Sequence, residues 1–211
     1  MTSRGHWNPP KVLLIGGLSR SGKSTLSAVV SESLRVQGIE SLIFPLDNWI
    51  VSKKQRSPYD KVTDRFRIDH AVSALRTVLS GDSVTFRAYN PTTRCECNGL
   101  TTLATGDNTQ LVIVEGVVAL ADQRLRNLAD YSIFITVNSR LRIRRMIELY
   151  RDVKCLDAGE YRRIIRLREI EEVPTINESK VYANLVACAS DIDRVMRNVS
   201  LLFSYPDKSH E

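Results

Sequence analysis

Eight residues near the amino terminus, Gly17-Leu18-Ser19-Arg20-Ser21-Gly22-Lys23-Ser24, have the types and spacing that gather a polyphosphate. Such a group needs several donors converging on its oxygens, and backbone N–H groups converge only where no Cβ stands between them. Gly17 and Gly22 permit that approach. Lys23 is placed to reach the outer phosphates and Ser24 to hold Mg²⁺ through its hydroxyl. Thr25 adds a donor, and the start of a following helix adds partial positive charge. The implied ligand is ATP, with GTP left open as the donor. A glycine-rich turn can match so short a pattern by chance, but here an apolar run precedes the loop and a helical pattern follows it.

The elements that must position this loop are legible from periodicity. Val12, Leu13, Leu14 and Ile15 stand in a row, the pattern of a strand buried on both faces of a parallel sheet. From 23 to 36 the apolar positions Leu26, Val29, Val30, Leu34 and Val36 recur at helical spacing, and Gly38 supplies the stop. A second short strand covers 41–47, with Asp47 leaving its C-terminal end, the edge along which open α/β sheets place their sites. Residues 48–68 are polar and read as a surface loop. A helix over 69–79 ends at Gly81, and 83–89 pairs with 101–105 as a small hairpin. Leu111, Val112, Ile113 and Val114 form a buried strand ending in Glu115-Gly116. After it come a helix over 120–128, a strand over 131–137, arginine-dense helices over 140–153 and 160–172, a last strand over 185–189 and a closing helix over 191–202. This alternation predicts an α/β fold: a P-loop three-layer sandwich with a mainly parallel sheet, a small β-hairpin insertion and a helical lid. Residues 11–202 are expected to form a single domain, after a disordered lead-in at 1–10 and before a tail at 203–211.

The chain carries 30 Lys plus Arg against 24 Asp plus Glu, a formal charge of +6, which favours anionic partners. Nucleotide phosphates satisfy it. The arginines concentrate between Arg140 and Arg168, and aromatics are only 7% of residues, which argues against nucleic acid as the main partner. No apolar run is long enough to span a bilayer, and the first ten residues lack the apolar centre of a secretory signal, so no membrane association and a cytoplasmic location are expected. Cys95, Cys97, Cys155 and Cys188, with three scattered histidines, have no zinc-ligand spacing and read as reduced thiols.

Around the phosphate loop, the segments 42–48, 87–94 and 112–120 resemble three landmarks of the uridine kinase family, within the phosphoribulokinase-type P-loop kinases. The resemblance implies that Asp47, in Pro45-Leu46-Asp47-Asn48-Trp49, is the general base that takes the acceptor proton; the alternative for it is a turn or helix cap. Ile68-Asp69-His70 is similar to the family's Phe-Asp-His segment, which gives Asp69 the ribose hydroxyls; the alternative for Asp69 is an N-cap. Val114-Glu115-Gly116 resembles the end of the family's Walker B strand, which puts Glu115 on Mg²⁺ through water. Residues 139–152 resemble its lid helix, with Arg144 and Arg145 closing over the triphosphate. Arg151, Arg162 and Arg163 are either helpers or a solvated face. Residues 178–185 resemble the segment beside the adenine pocket.

On the acceptor side the resemblance leaves Tyr89 and Arg94. There the sequence departs from the family: Asp47-Asn48-Trp49-Ile50 replaces Asp-Ser-Phe-Tyr, and the turn from Tyr89 to Arg94 is shorter and lacks a histidine. The implied activity is transfer of the ATP γ-phosphate to a primary hydroxyl, most simply the 5′-hydroxyl of a uridine- or cytidine-like nucleoside. The alternative acceptor is another sugar, polyol or vitamin-like alcohol. A reading of a different class is a non-catalytic nucleotide-binding regulator that docks a partner by its arginine face. Homo-oligomers are common in the family, and the hairpin region at 83–105 is a candidate contact.

Overall fold

The computed structural model describes residues 9–57 and 59–204, so most of the expected lead-in and tail lies outside the described residues. In chain order the elements are β1 (Lys11–Gly17), α1 (Lys23–Val36), β2 (Glu40–Pro45), α2 (Ile68–Leu79), β3 (Val84–Phe86), β4 (Tyr89–Asn90), β5 (Cys95–Glu96) and β6 (Thr101–Leu103). They continue with β7 (Thr109–Glu115), α3 (Gln123–Arg126), β8 (Tyr131–Thr136), α4 (Ser139–Glu148), α5 (Ala158–Glu178), β9 (Leu185–Cys188) and α6 (Ile192–Ser204). Five strands form one sheet in the order β2-β7-β1-β8-β9, every pair parallel. β1 lies in the centre, so the loop that follows it emerges from the middle of the C-terminal edge.

The period of two along each strand divides the core into layers. Leu13, Ile15, Leu111, Ile113, Ile133 and Ile135 face α1 and α6, which contribute Leu26, Val30, Leu34, Val195 and Val199. Their neighbours Val12, Leu14, Val112, Val114 and Phe134 face the other way, onto α2 and Trp49. The central residues of β1 and β7 are therefore apolar on both faces, as the runs in their sequence imply, while β8 buries the polar Ser132. Truncating a fully buried member such as Leu14 to alanine costs about 2–5 kcal/mol. A separate small cluster, Met146, Tyr150 and Ile165, joins α4 to α5.

Four details differ from the periodicity. β2 stops at Pro45, which has no N–H with which to extend the ladder, and residues 46–49 tighten into a 3₁₀ turn that contains Asp47. The expected helix at 120–128 shrinks to α3, because 116–121 forms successive turns that bury Val118, Ala119 and Leu120, and the Asp122 carboxylate caps a new start. The helix expected over 140–153 passes at Leu149 into a π turn closed by Lys154 N–H on the Leu149 carbonyl, 3.0 Å. α5 is longer than 160–172: Asp157 caps its start, and it runs past Pro174 to Glu178. The expected hairpin is present as β3 with β6, and inside it β4 and β5 form a second, smaller one. The loop at 48–67 folds back on itself, with Ile50 bridging Phe66 and Arg67 N–H donating to the Trp49 carbonyl.

Candidate active site

The loop between β1 and α1 is held by close backbone approaches. Gly17 has φ 137°, and a Cβ there would stand 2.5 Å from the Ile135 carbonyl oxygen of β8. Gly22 has φ 104°, and its Cβ would stand 2.9 Å from that of Ala189, just after β9. Both positions thus demand glycine. Lys23 is buried, and its Nζ donates to the Leu18 carbonyl at 3.0 Å. Burial pushes its ammonium below the ordinary lysine range, while Asp47, Glu115 and Glu172 pull it back. The buried hydroxyls of Ser19 and Ser21 have no hydrogen-bond partner among the described residues, which suits a loop built to receive a ligand.

At the rim of the loop, Ser24 Oγ donates to Glu115 Oε1 at 3.0 Å, joining the start of α1 to the end of β7. Glu115 is buried, and that burial raises its carboxyl, with Lys23 opposing. Leu18, Arg20 and Thr25 complete the loop, with Arg20 and Thr25 exposed and Leu18 packed against the core.

Asp47 projects from a rigid turn. Leu46 and Trp49 on either side are buried, Leu46 lies so close to Gly116 that a Cβ there would meet it at 2.7 Å, and Trp49 stacks between Phe44 and Phe86 at 4.5 and 4.6 Å. Its carboxylate is solvent-accessible and accepts no hydrogen bond from the described residues, so it caps nothing. The protein mass around the cleft nonetheless raises its pKa by desolvation, against the pull of Lys23, Arg168 and Arg20, and Glu172 adds to the rise. A carboxylate raised in this way and facing the phosphate-loop lysine has the character of a proton acceptor.

The lid contributes residues that the sequence pattern did not single out. Glu172 of α5 is buried; its Oε1 accepts the Ser19 backbone N–H at 2.6 Å, and its Oε2 accepts from Arg168 at 2.7 Å. Burial works to raise Glu172, but Arg168 and the bonds from Ser19 outweigh it and hold the carboxylate below its ordinary range. Arg142 of α4 is buried, ion-paired with Glu169, 4.0 Å from Glu172, and its Nη1 has no hydrogen-bond partner among the described residues. Arg145 reaches the loop, donating to the Arg20 carbonyl at 3.2 Å. Arg144 does not: it lies 3.6 Å from Glu148 on the outer face, because consecutive helical residues point about 100° apart. Arg151 pairs with its neighbour Asp152, and Arg162 and Arg163 are exposed.

The acceptor-side residues divide. The Tyr89 hydroxyl accepts from Arg56 at 3.2 Å, and that guanidinium lies 5.6 Å from the ring centre. Arg94 closes the β4–β5 turn with φ 59°. Asp69 is the second residue of α2, not its cap, and its exposed carboxylate is ion-paired with Arg124, which also holds Asp122. These three residues line a polar groove with Phe66, Ile68 and His70, on which Lys23, Asp47 and Tyr89 are absent. The structure therefore groups Asp47, Lys23, Ser24, Glu115, Arg145, Arg168 and Glu172, and leaves Asp69 and Arg144 engaged elsewhere.

A parallel sheet whose central strand feeds a glycine-framed anion loop, with an acidic side chain facing the loop lysine beneath helical arginines, defines the P-loop kinase class. Residues 12–156 match the Phosphoribulokinase / Uridine kinase family, and the chain belongs to that family of phosphotransferases. It is 30% identical over 147 residues to mouse "Uridine-cytidine kinase-like 1", an alignment covering 66% of this chain and 26% of that protein, so it spans about a quarter of that relative's length. It is 25% identical over 202 residues to the uridine kinase of Shewanella amazonensis, covering 89% and 92%. Among solved structures, a putative fructose transport system kinase from Silicibacter superposes with a TM-score of 0.70 at 18% identity, covering 89% of this chain and 93% of that one. A possible uridine kinase from Bacillus stearothermophilus gives 0.59 at 22% identity, covering 87% and 91%. Among the described residues no helix is long and apolar enough to cross a membrane.

Proposed function

We propose that the protein is an ATP-dependent small-molecule kinase that transfers the γ-phosphate to a primary hydroxyl. The observation that carries this reading is the unbonded Asp47 carboxylate in the turn after β2, beside the β7 end where Glu115 meets Ser24 of the phosphate loop, with the Lys23 charge acting on it. The loop N–H groups, Lys23 and the N-terminus of α1 would hold the triphosphate. Arg145, already at the loop, and Arg168, beside Asp47, would offset charge on the transferring group. The Ser24 hydroxyl and Glu115 carboxylate are hard oxygen donors 3.0 Å apart and suit Mg²⁺, which when bound neutralises phosphate charge. In the transfer, the bond between the γ-phosphorus and the β–γ bridging oxygen breaks, and the acceptor oxygen bonds to phosphorus. The acceptor proton passes to Asp47.

For the acceptor, the names of the relatives and the order Asp47, Asp69, Tyr89 support a uridine- or cytidine-like nucleoside taking phosphate on its 5′-hydroxyl. A second reading, another sugar, polyol or vitamin-like alcohol, is favoured by Asp69 being tied to Arg124 and by the Tyr89 hydroxyl being taken by Arg56. Incubating the protein with ATP, Mg²⁺ and a panel of nucleosides, sugars and polyols separates them. Nucleoside monophosphate as the main product supports the first reading, and its absence alongside phosphorylation of another alcohol supports the second. ATP binding without transfer to any alcohol would point instead to a nucleotide-binding regulator.

A further inference from the structure

The three described non-glycine residues with left-handed φ are Arg20 at 64°, Arg94 at 59° and Cys155 at 51°. Side chains rarely tolerate that conformation, and where it persists the surrounding structure enforces it, most often at functional sites. All three stand at turns that present a cation. Arg20 is in the phosphate loop, Arg94 closes the β4–β5 turn, and Cys155 follows Lys154 where the π turn of the lid ends.

These turns are joined to one another. Lys154 Nζ donates to the Pro91 carbonyl at 2.9 Å, which fastens the end of the lid to the turn that carries Arg94. Asn90 shapes that turn by accepting the N–H groups of Thr92 and Thr93 at 2.8 and 3.1 Å, and the Arg94 carbonyl accepts from Lys53 at 2.9 Å. Burial, then the charges of Arg94, Arg168 and Arg20, hold the Lys154 ammonium below its usual range. Arg168 is neutralised by Glu172, whereas Arg20, Arg94 and Lys154 have no carboxylate partner among the described residues. Arg20 and Arg168 also act on Asp47, which links this group of positive charges electrostatically to the proposed base.

A triphosphate held by the loop, Lys23 and Arg145 leaves Arg94 and Lys154 unanswered, because they are fastened at the β4–β5 turn rather than at the loop. A neutral nucleoside offers them no counter-charge, whereas a second anion does. Extending the kinase reading above, on which this rests, we propose that the acceptor alcohol carries an anionic group, phosphate or carboxylate, seated between Arg94 and Lys154 with Arg20 on its phosphate-loop side.

The test is calorimetric titration of the full chain, saturated with Mg²⁺ and a non-hydrolysable ATP analogue, with glycerol 3-phosphate, glycerate, glycerol and uridine as probes. One or both anionic probes should bind at least about tenfold more tightly than glycerol, and their ranking separates phosphate from carboxylate. Arg94→Asn, which tolerates the positive φ, and Lys154→Met, which keeps the apolar stem, should each weaken the anionic probe about tenfold or more while changing affinity for the ATP analogue less than about twofold. Binding of uridine but of neither anion, binding of none of the four, or indifference of the anionic probe to both substitutions overturns the proposal. Anion binding with no ADP released from ATP in the presence of any of these alcohols would leave the anion site standing and overturn the kinase reading instead.

Discussion

The halves of the cleft proposed for donor and acceptor are built from different materials. The donor half is backbone: two glycines at φ 137° and 104° with no room for a Cβ, a central strand, and a helix start, tied to β7 by the Ser24–Glu115 bond. The half proposed for the acceptor is made of charged side chains on short turns, where Arg56 and Lys154 meet carbonyls and an aromatic ring rather than carboxylates, and where Arg94 has no carboxylate partner among the described residues. A backbone cradle serves any nucleoside triphosphate, whereas a side-chain cradle is free to change with the acceptor. On the proposed function, one half fixes the chemistry and the other fixes the substrate.

The sharpest way to break that contrast is to swap residue types at one positive-φ position in each half. Gly22→Ala puts a Cβ at φ 104° and 2.9 Å from Ala189, and should cost about 1–3 kcal/mol of stability and most ATP affinity, read by thermal melts and nucleotide titration. Arg94→Gly relieves φ 59° and should leave the melting temperature equal or higher, with ATP affinity unchanged and acceptor KM raised. Parallel losses of ATP affinity in both variants would erase the division into halves.

The pH profile gives a smaller, signed effect. With Asp47 as the proposed proton acceptor, transfer needs it deprotonated, and its pKa is raised, so activity should fall on acidification at a pH above the ordinary aspartate value of about 3.9. Arg168→Ala removes a positive neighbour and should move that acid limb to higher pH, while Glu172→Gln removes a negative one and should move it lower. Limbs unchanged in both variants would disconnect the lid pair from the base. The smallest contrast lies in the lid helix, where Arg145→Ala should raise the KM for ATP severalfold. Arg144→Ala should leave kinetics unchanged and stability within about 0.5 kcal/mol, since its pair with Glu148 is an exposed one.

The sequence exposed the elements whose cause is local. Runs such as Val12 to Ile15 reported strands buried on both faces, and Gly17, Gly22 and Lys23 reported a phosphate loop through stereochemistry that needs no distant partner. Glu172 was invisible for the opposite reason: in an arginine-rich helix it reads as an ordinary i,i+4 partner of Arg168, and only folding brings it 2.6 Å from a backbone N–H 153 residues away. Arg144 and Arg145 were expected together although a helix cannot aim neighbours at one ligand, so helical geometry alone could have parted them. Asp69 kept its place in the order, but Arg124, held also by Asp122, reaches it from the segment around α3, a pairing no spacing rule anticipates.

The central claim is that Asp47 accepts the proton while the loop holds the donor. Asp47→Asn should lower kcat for the best acceptor by about 10²–10⁴-fold while ATP affinity, measured by titration on the same sample, stays within about twofold. Transfer at the unaltered rate with ATP still bound would contradict it.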